Sequence, residues 1–442
     1  MSDGQTYSAQ YTLRRIVQNA GWLLGGKGFG AVSSLIYLAI LSRSLGVKDF
    51  GHFALIFGIA QAMVAVAGFQ TWQTIVRFGA PHIARGDWAA FGRISVAGAM
   101  IDAVGATTGC VLATVTIIGF GDALELNPDY KNIALAFICA TLWARVSAPY
   151  GVIRALDRFE LSVLVGSITP ALRLLAAILI WLTEPTVARF LFAWAAIEFL
   201  TAFSMWFAAW RLRPDIIRFS MALQWRQLLA ENPSLLKFVG VTYCSTSIQA
   251  VVQQGPLLAV GYFFGTSAAG VYRIADQLAK GLGKLAVLMS DAIYPEVNRQ
   301  LHTAPAAEFS RTIAKVSLVV VAMALSVGAL AAFMGSDILV LIAGEAFSSG
   351  GIILVPLVIA GSLELASVAY EPALHSLGKA HYQLWVRLVA AAALIGTVLM
   401  IADTQSLAVA WSVTAVQALE YLLLSALIFG LLKRLDRRPA RQ

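Results

Sequence analysis

Twelve apolar segments, most of them long enough to cross a bilayer as a helix, follow one another with only short polar joints between them. They run over 16–44, 50–76, 93–120, 132–155, 162–182, 187–210, 235–264, 268–293, 309–334, 352–376, 382–402 and 406–432. About twenty apolar residues in a helix span the hydrocarbon core of a bilayer. A chain of 442 residues that is 59% hydrophobic and only 13% charged cannot be a soluble globular domain. The expected fold is therefore all-α, a polytopic membrane protein of about twelve transmembrane helices. The N-terminus is polar up to Arg14 and Arg15 and then turns apolar. No small-residue cleavage site follows, so the first span is expected to be retained.

The basic residues set the orientation. Arg14, Arg15, Arg77, Arg85, Arg93, Arg154 and Arg158 fall on one side, followed by Arg211, Arg213, Arg218, Arg226 and Lys237 in the central loop. Arg299, Arg311, Lys315, Lys379 and Arg387 join the same side, as does a C-terminal tail rich in Lys and Arg. The other side carries Arg43, Lys48, Lys131 and Arg189. The asymmetry is that of a multi-pass protein with both termini in the cytoplasm. It accounts for the net charge of +8 without a nucleic-acid partner. Cys110, Cys139 and Cys244 lie inside apolar runs and imply neither a disulfide nor a metal site, and no cofactor is expected.

The chain repeats itself. Leu45-Gly46-Val47-Lys48-Asp49-Phe50-Gly51-His52-Phe53 parallels Phe264-Gly265-Thr266-Ser267-Ala268-Ala269-Gly270-Val271-Tyr272, and Ala155 to Phe159 parallels Ser376 to Ala380 at nearly the same offset. Six spans separate the copies, so the repeats are parallel. The expected organisation is an N-terminal lobe over 1–210, a basic cytoplasmic linker over 211–234 suited to anionic lipid, and a C-terminal lobe over 235–442, with a central cavity between the lobes.

The eighth span, Ala268 to Ile293, carries Arg273, Asp276, Lys280 and Lys284 within one helical arc of about 80°. A cation at the membrane centre costs about 2.5–3.5 kcal/mol. Such a face needs counter-charges or a wet cavity. Asp276 can neutralise one of the three bases by i,i+3 or i,i+4 pairing. The surplus points to an anion-facing surface, and a purely structural charge network is the alternative. The corresponding positions of the first repeat are Ala54, Phe57, Gln61 and Ala65, so the scaffold itself does not require charge there. Embedded acids are as numerous as embedded bases, so the anion argument rests on clustering in this one span.

The paired turns, Leu-Gly-x-x-x-x-Gly-x-Phe after the first span and Phe-Gly-x-x-x-x-Gly-x-Tyr after the seventh, complete a pattern. Together with twelve spans in two lobes, they resemble the polysaccharide-transporter branch of the multidrug/oligosaccharidyl-lipid/polysaccharide flippase superfamily, in particular bacterial O-antigen and exopolysaccharide flippases. The resemblance covers nearly the whole chain. It implies a cytoplasmic-membrane protein that moves an undecaprenyl-diphosphate-linked oligosaccharide between leaflets by alternating access, without enzymatic chemistry. Its implied partners are the lipid-linked substrate, membrane lipids, and polysaccharide polymerase and export machinery. The rival within the superfamily is a cation-coupled multidrug exporter, which would favour an acidic, aromatic cavity. An enzyme such as a polymerase or ligase needs a larger outside loop than Gly335 to Gly351.

On this reading Arg273, Lys280 and Lys284 hold the diphosphate or another anionic group of the substrate, together with Lys27 and Arg145. Lys27 closes a Gly21-to-Lys27 phosphate-loop pattern, but Gly28 stands where Ser or Thr should follow and the motif lies in a membrane span, so no nucleotide site is expected. Lys27 either snorkels to the membrane edge or faces the cavity. Arg145 is mid-span, with only Asp102 at a comparable depth. Asp276, Glu364 and Glu371 are candidates for coupling or gating, with Glu364, Glu371 and His375 sharing one helical face. Pairing with embedded bases is the alternative. Arg173 and Glu198 lie at similar depth on adjacent spans and are expected to form a structural ion pair.

Reporter fusions test the topology. Fusions after Arg226 and Arg438 should report cytoplasm, and fusions near Asn127 and Ser348 the outside; any inversion within this set overturns the lobe assignment.

Overall fold

The computed structural model describes the backbone of 9–303, except 217, 219, 220, 222 and 223. It also describes 326–436, except 327, 330, 368, 369, 371–373, 375–380 and 402–404. Side chains are described from Gly30 onward, except at 159, 282–303, 365, 381 and 432–436 within this range. All regular structure among the described residues is helical: α1 (Ala9–Val66), α2 (Thr71–Ala84), α3 (Trp88–Phe120), α4 (Pro128–Trp143), α5 (Ser147–Ala155), α6 (Phe159–Leu182) and α7 (Val187–Leu212) form the first lobe. A short helix α8 (Trp225–Glu231) precedes α9 (Leu235–Thr303), and α10 (Ala331–Ala343), α11 (Gly351–Ala366), α12 (His381–Met400) and α13 (Ser406–Asp436) complete the second. Most of the ninth apolar segment and the second copy of the Ala155–Phe159 repeat lie outside the described residues.

Both long helices are two spans joined without a loop. α1 breaks at Gly46, with φ 72° and ψ 176°. α9 breaks at Gly265, with φ 81° and ψ 177°. The same backbone turn thus recurs 219 residues later. Only glycine reaches that region of φ without a steric penalty, so the first Gly of each repeated motif is a conformational requirement.

The second Gly of each motif answers a packing requirement. The lobes cross beside the two breaks. A Cβ on Gly51 would stand 2.0 Å from the Thr266 carbonyl oxygen, and one on Gly270 would stand 2.9 Å from the Val47 carbonyl oxygen. Two helix backbones approach this closely only where side chains are missing. Further contacts surround the crossing. Phe50 meets Phe347 edge-on at 5.6 Å. The Arg43 guanidinium donates to the carbonyls of Val340, Leu341 and Ile342 at 3.3, 2.6 and 3.1 Å, which are last-turn acceptors of α10. The lobes are therefore sealed together at the Gly46/Gly265 end, and the space between them lies on the other side of this seal.

The linker belongs, by packing, to the first lobe. Ile216, Leu228, Leu235 and Val239 share one buried cluster with Ile75, Phe91, Ile94, Val152 and Met205. Buried Arg93 pairs with Glu231 at 2.5 Å, and the Arg213 guanidinium stacks 3.5 Å from the Trp88 ring centre. Arg211, Arg218, Arg226 and Lys237 stay exposed. The described part of the linker packs against the first lobe and stacks Arg213 on Trp88.

Thermal denaturation in detergent tests the crossing. Gly51→Ala, which drives a methyl into a backbone oxygen, should destabilise by about 1–3 kcal/mol. Gly255→Ala, where a Cβ meets nothing within 4 Å, should leave the melting temperature unchanged or raise it.

Candidate functional site

A cavity of about 1140 Å³ lies between the lobes, lined from both of them. Its walls are built from α1, α6 and α7 on one side and from α9, α11, α12 and α13 on the other.

The second half of α9 brings Arg273, Asp276 and Lys280 into this cavity through the i, i+3 and i+4 spacing. Lys280 Nζ is 2.8 Å from Asp276 Oδ2 and donates to the Gln253 carbonyl at 3.2 Å. Arg273 Nη1 is 3.7 Å from the same Asp276 oxygen. The acid is buried and shared by two bases, so these three residues together carry one more positive than negative charge. Lys280 is the more accessible of the two bases, with 38% of its side chain exposed against 15% for Arg273. Gln61, the counterpart of Lys280 in the first repeat, lines the same cavity.

The facing wall is aromatic. The Arg173 guanidinium pairs with Glu198 and stands 3.7 Å from the Trp194 ring centre. The indole N–H of Trp194 donates to the same carboxylate oxygen at 3.1 Å. Trp194 meets Phe57 at 4.7 Å and Tyr37 at 5.5 Å. Arg273 reaches over from the second lobe to within 5.2 Å of the Phe57 ring centre. Phe57 therefore links the two charge clusters through its ring. Arg173 and Glu198 are an ion pair that also lines the cavity, with 22% and 24% of their side chains exposed.

A third group comes from α11, α12 and α13: Glu364, Arg387 and Glu420. Glu364 lies within electrostatic reach of Lys280 and Arg387. Arg387 stands in the sequence among the loop bases, yet α12 carries it into the cavity wall. Sequence reasoning also passed over Tyr37, Trp194 and most of the cavity glutamines. Uncharged amides inside apolar spans were the available signal for the last group. Among the described lining residues the bases Arg173, Arg273, Lys280 and Arg387 are matched in number by the acids Glu198, Asp276, Glu364 and Glu420.

Arg145 is placed elsewhere. It is not among the residues lining this cavity; its guanidinium donates to the Val64 carbonyl at 3.0 Å. It fills the space over Gly68, where a Cβ would come within 1.7 Å of its nitrogen. Two helix breaks face each other here, between α1 and α2 and between α4 and α5. Arg145 satisfies a carbonyl at the end of α1, and Asp102 accepts from Ala148 N at 2.9 Å and Thr71 Oγ1 at 2.8 Å, capping the start of α5. The mid-span charge serves the broken backbone of the first lobe. Lys27 and Lys284 occupy helical positions whose side chains lie outside the described residues, and Glu371 and His375 lie outside them entirely.

Comparison with known proteins follows from this geometry. Residues 16–300 match the family model described as polysaccharide biosynthesis protein. The inner membrane protein YghQ of Escherichia coli (strain K12) is 27% identical over 294 residues, which is 66% of this chain and 82% of that protein. Among solved structures, the chain is similar to an inward-facing conformation of a multidrug resistance MATE family transporter of the MOP superfamily. The TM-score is 0.71 at 13% identity, covering 93% of this chain and 96% of that one. It is also similar to the lipid II flippase MurJ in an inward closed conformation, with a TM-score of 0.72 at 11% identity over 93% of this chain and 89% of that one. At these identities the likeness is one of fold, an all-α membrane protein of two lobes.

The Arg173–Glu198 pair has a direct test. Reversing one charge leaves two like charges beside Trp194, so Arg173→Glu should lower the amount of folded protein, with a cost on the order of 3 kcal/mol. Adding Glu198→Arg should restore it, measured as monodisperse protein after detergent extraction. No recovery in the double variant would assign the two groups separate roles in the cavity.

Proposed function

The chain belongs to the polysaccharide biosynthesis protein family, and from that premise we propose that it is a flippase for an undecaprenyl-diphosphate-linked oligosaccharide in the bacterial inner membrane. The observation that carries the proposal is the Arg273–Asp276–Lys280 patch, two bases sharing one acid on the wall of a cavity between two lobes. An anion satisfies the surplus charge and gains charge-assisted hydrogen bonds from the accessible Lys280 ammonium. Loop charge orients the molecule: the basic loops and both termini lie in the cytoplasm, and the Gly46/Gly265 seal faces outside. The cavity then stands on the cytoplasmic side of a closed outer gate. The two solved structures named above are an inward-facing and an inward closed conformation, in keeping with that state.

The diphosphate head would enter from the cytoplasm onto Arg273 and Lys280, with Lys284 one turn further along the helix, while the lipid tail stays in the bilayer. Opening of the α1–α9 crossing and of the Arg43 contacts would expose the sugar outside, for use by polysaccharide polymerase and export machinery. No bond is made or broken, so no enzymatic step is required. Glu364, beside Lys280 and Arg387, is the described acid best placed to couple a cation to this change. The rival reading, a cation-coupled multidrug exporter, finds an aromatic wall in Tyr37, Phe57 and Trp194. It does not find the acidic surplus that would attract organic cations, because the described lining charges balance.

Variants at Lys280 test the proposal. A charge-assisted contact to phosphate is worth about 1.5–3 kcal/mol, so Lys280→Ala should weaken head-group binding by about 10- to 150-fold. Lys280→Arg should keep part of the function, and Lys280→Glu should fall below Ala. Glycan export is read beside protein abundance in each variant. Normal export from an abundant Lys280→Glu, Lys284→Glu double variant would refute the anion site. Loss of abundance in Lys280→Ala that Asp276→Asn rescues would reduce the patch to a structural network.

A further inference from the structure

Resting on the flippase reading above, we infer that a set of glutamines makes the cavity a glycan subsite for uncharged sugars. Gln249, Gln253 and Gln254 on α9 before its break, Gln277 after it, Gln383 on α12, Gln417 on α13 and Gln61 on α1 all line the one cavity. They come from helices that are otherwise strongly apolar, and from both lobes.

Each side-chain amide offers two N–H donors and an oxygen acceptor. None of these seven amides is hydrogen-bonded to a described group of the protein, and Gln254 Oε1 is buried with no partner. Gln254 Oε1 is the one buried acceptor of the set and most of the other amides stand partly open on the cavity wall, so the wall presents donors and acceptors together to a ligand that both donates and accepts. A sugar hydroxyl does both at one atom, and a ring bearing several hydroxyls can meet several amides. The opposite wall of Tyr37, Phe57 and Trp194 offers apolar ring surface for the C–H faces of the sugars.

The charges decide the class of sugar. The positive surplus of the described lining lies at Arg273 and Lys280, where the diphosphate is assigned. Outside the Arg273–Asp276–Lys280 patch the described lining carries no surplus of base over acid: Arg173 and Arg387 stand with Glu198, Glu364 and Glu420, and Glu364 also lies within reach of Lys280. Arg173 is paired with Glu198. A sugar carboxylate placed beyond the diphosphate therefore meets a wall with no surplus base to offset its desolvation, whereas an uncharged sugar meets the amides at no electrostatic cost.

The test uses the purified full chain in lipid nanodiscs and three probes: undecaprenyl diphosphate, the same lipid bearing a glucose disaccharide, and the same lipid bearing a glucose–glucuronic acid disaccharide. Affinity is read by thermophoresis. The neutral disaccharide should bind more tightly than the bare lipid, and the acidic one at least about 10-fold more weakly than the neutral one. Gln254→Leu and Gln417→Leu should each weaken the neutral-sugar probe by about 2- to 12-fold and leave bare undecaprenyl diphosphate unchanged. Lys280→Ala should weaken all three probes. If a leucine variant fails a thermal-melt check, alanine at the same position reads the same loss. Equal binding of the acidic and neutral sugars, or equal losses on sugar-bearing and bare lipid, would overturn the inference and leave the diphosphate site standing. Failure of folded wild-type protein to bind bare undecaprenyl diphosphate would overturn the flippase reading and the subsite with it.

Discussion

Two helix backbones in near contact hold the lobes together. Gly51 and Gly270, at equivalent places in the two repeats, let α1 and α9 cross so closely that a methyl on Gly51 would overlap the Thr266 carbonyl oxygen. The closed end of the cavity follows from that approach. It seals one end, brings Phe50 against Phe347 and places Arg43 at the end of α10. It also sets Arg273 within reach of Phe57 in the other lobe. In a bilayer no hydrophobic gain drives two apolar helices together, so small residues and van der Waals contact must supply the association. A seal made this way is close-fitting yet carries little buried charge.

Embedded charge in this chain serves two purposes. Around Arg145 and Asp102 it repairs the backbone: two helices of the first lobe are broken, and the freed carbonyl and N–H groups are satisfied by side chains where lipid cannot supply partners. Around Asp276 it lines a cavity. The two cases cannot be told apart by hydropathy, since each is a charged residue in the middle of an apolar run. They differ in what the local backbone does, because a broken helix creates its own demand for charge and an unbroken one does not.

The cavity is less cationic than the eighth span by itself implies. Acids from α7, α11 and α13 balance the bases, and amides occupy much of the remaining surface. The lining thus combines paired charges, amides and aromatic rings rather than a single-sign field.

Hydropathy and the repeated glycine motif lie in the sequence itself, and they determined the membrane class, the two-lobe organisation and the sites of the breaks at Gly46 and Gly265, though not the breaks within the expected spans 50–76 and 132–155. These are local properties: a glycine with positive φ is needed wherever the turn occurs, and an apolar run spans lipid whatever it packs against. The levels of Arg173 and Glu198 were legible for the same reason, since rise per residue fixes depth from a shared joint. What only the tertiary structure decided is azimuth. Arg387, near the start of the apolar segment 382–402 and grouped by charge with the loop bases, faces the cavity, and Arg145 is engaged at the break before α5 instead. The glutamines of α9, α12 and α13 converge on one cavity only when three helices pack with particular rotations. Depth is set along the chain, but the direction a side chain faces is set by neighbouring helices far away in sequence.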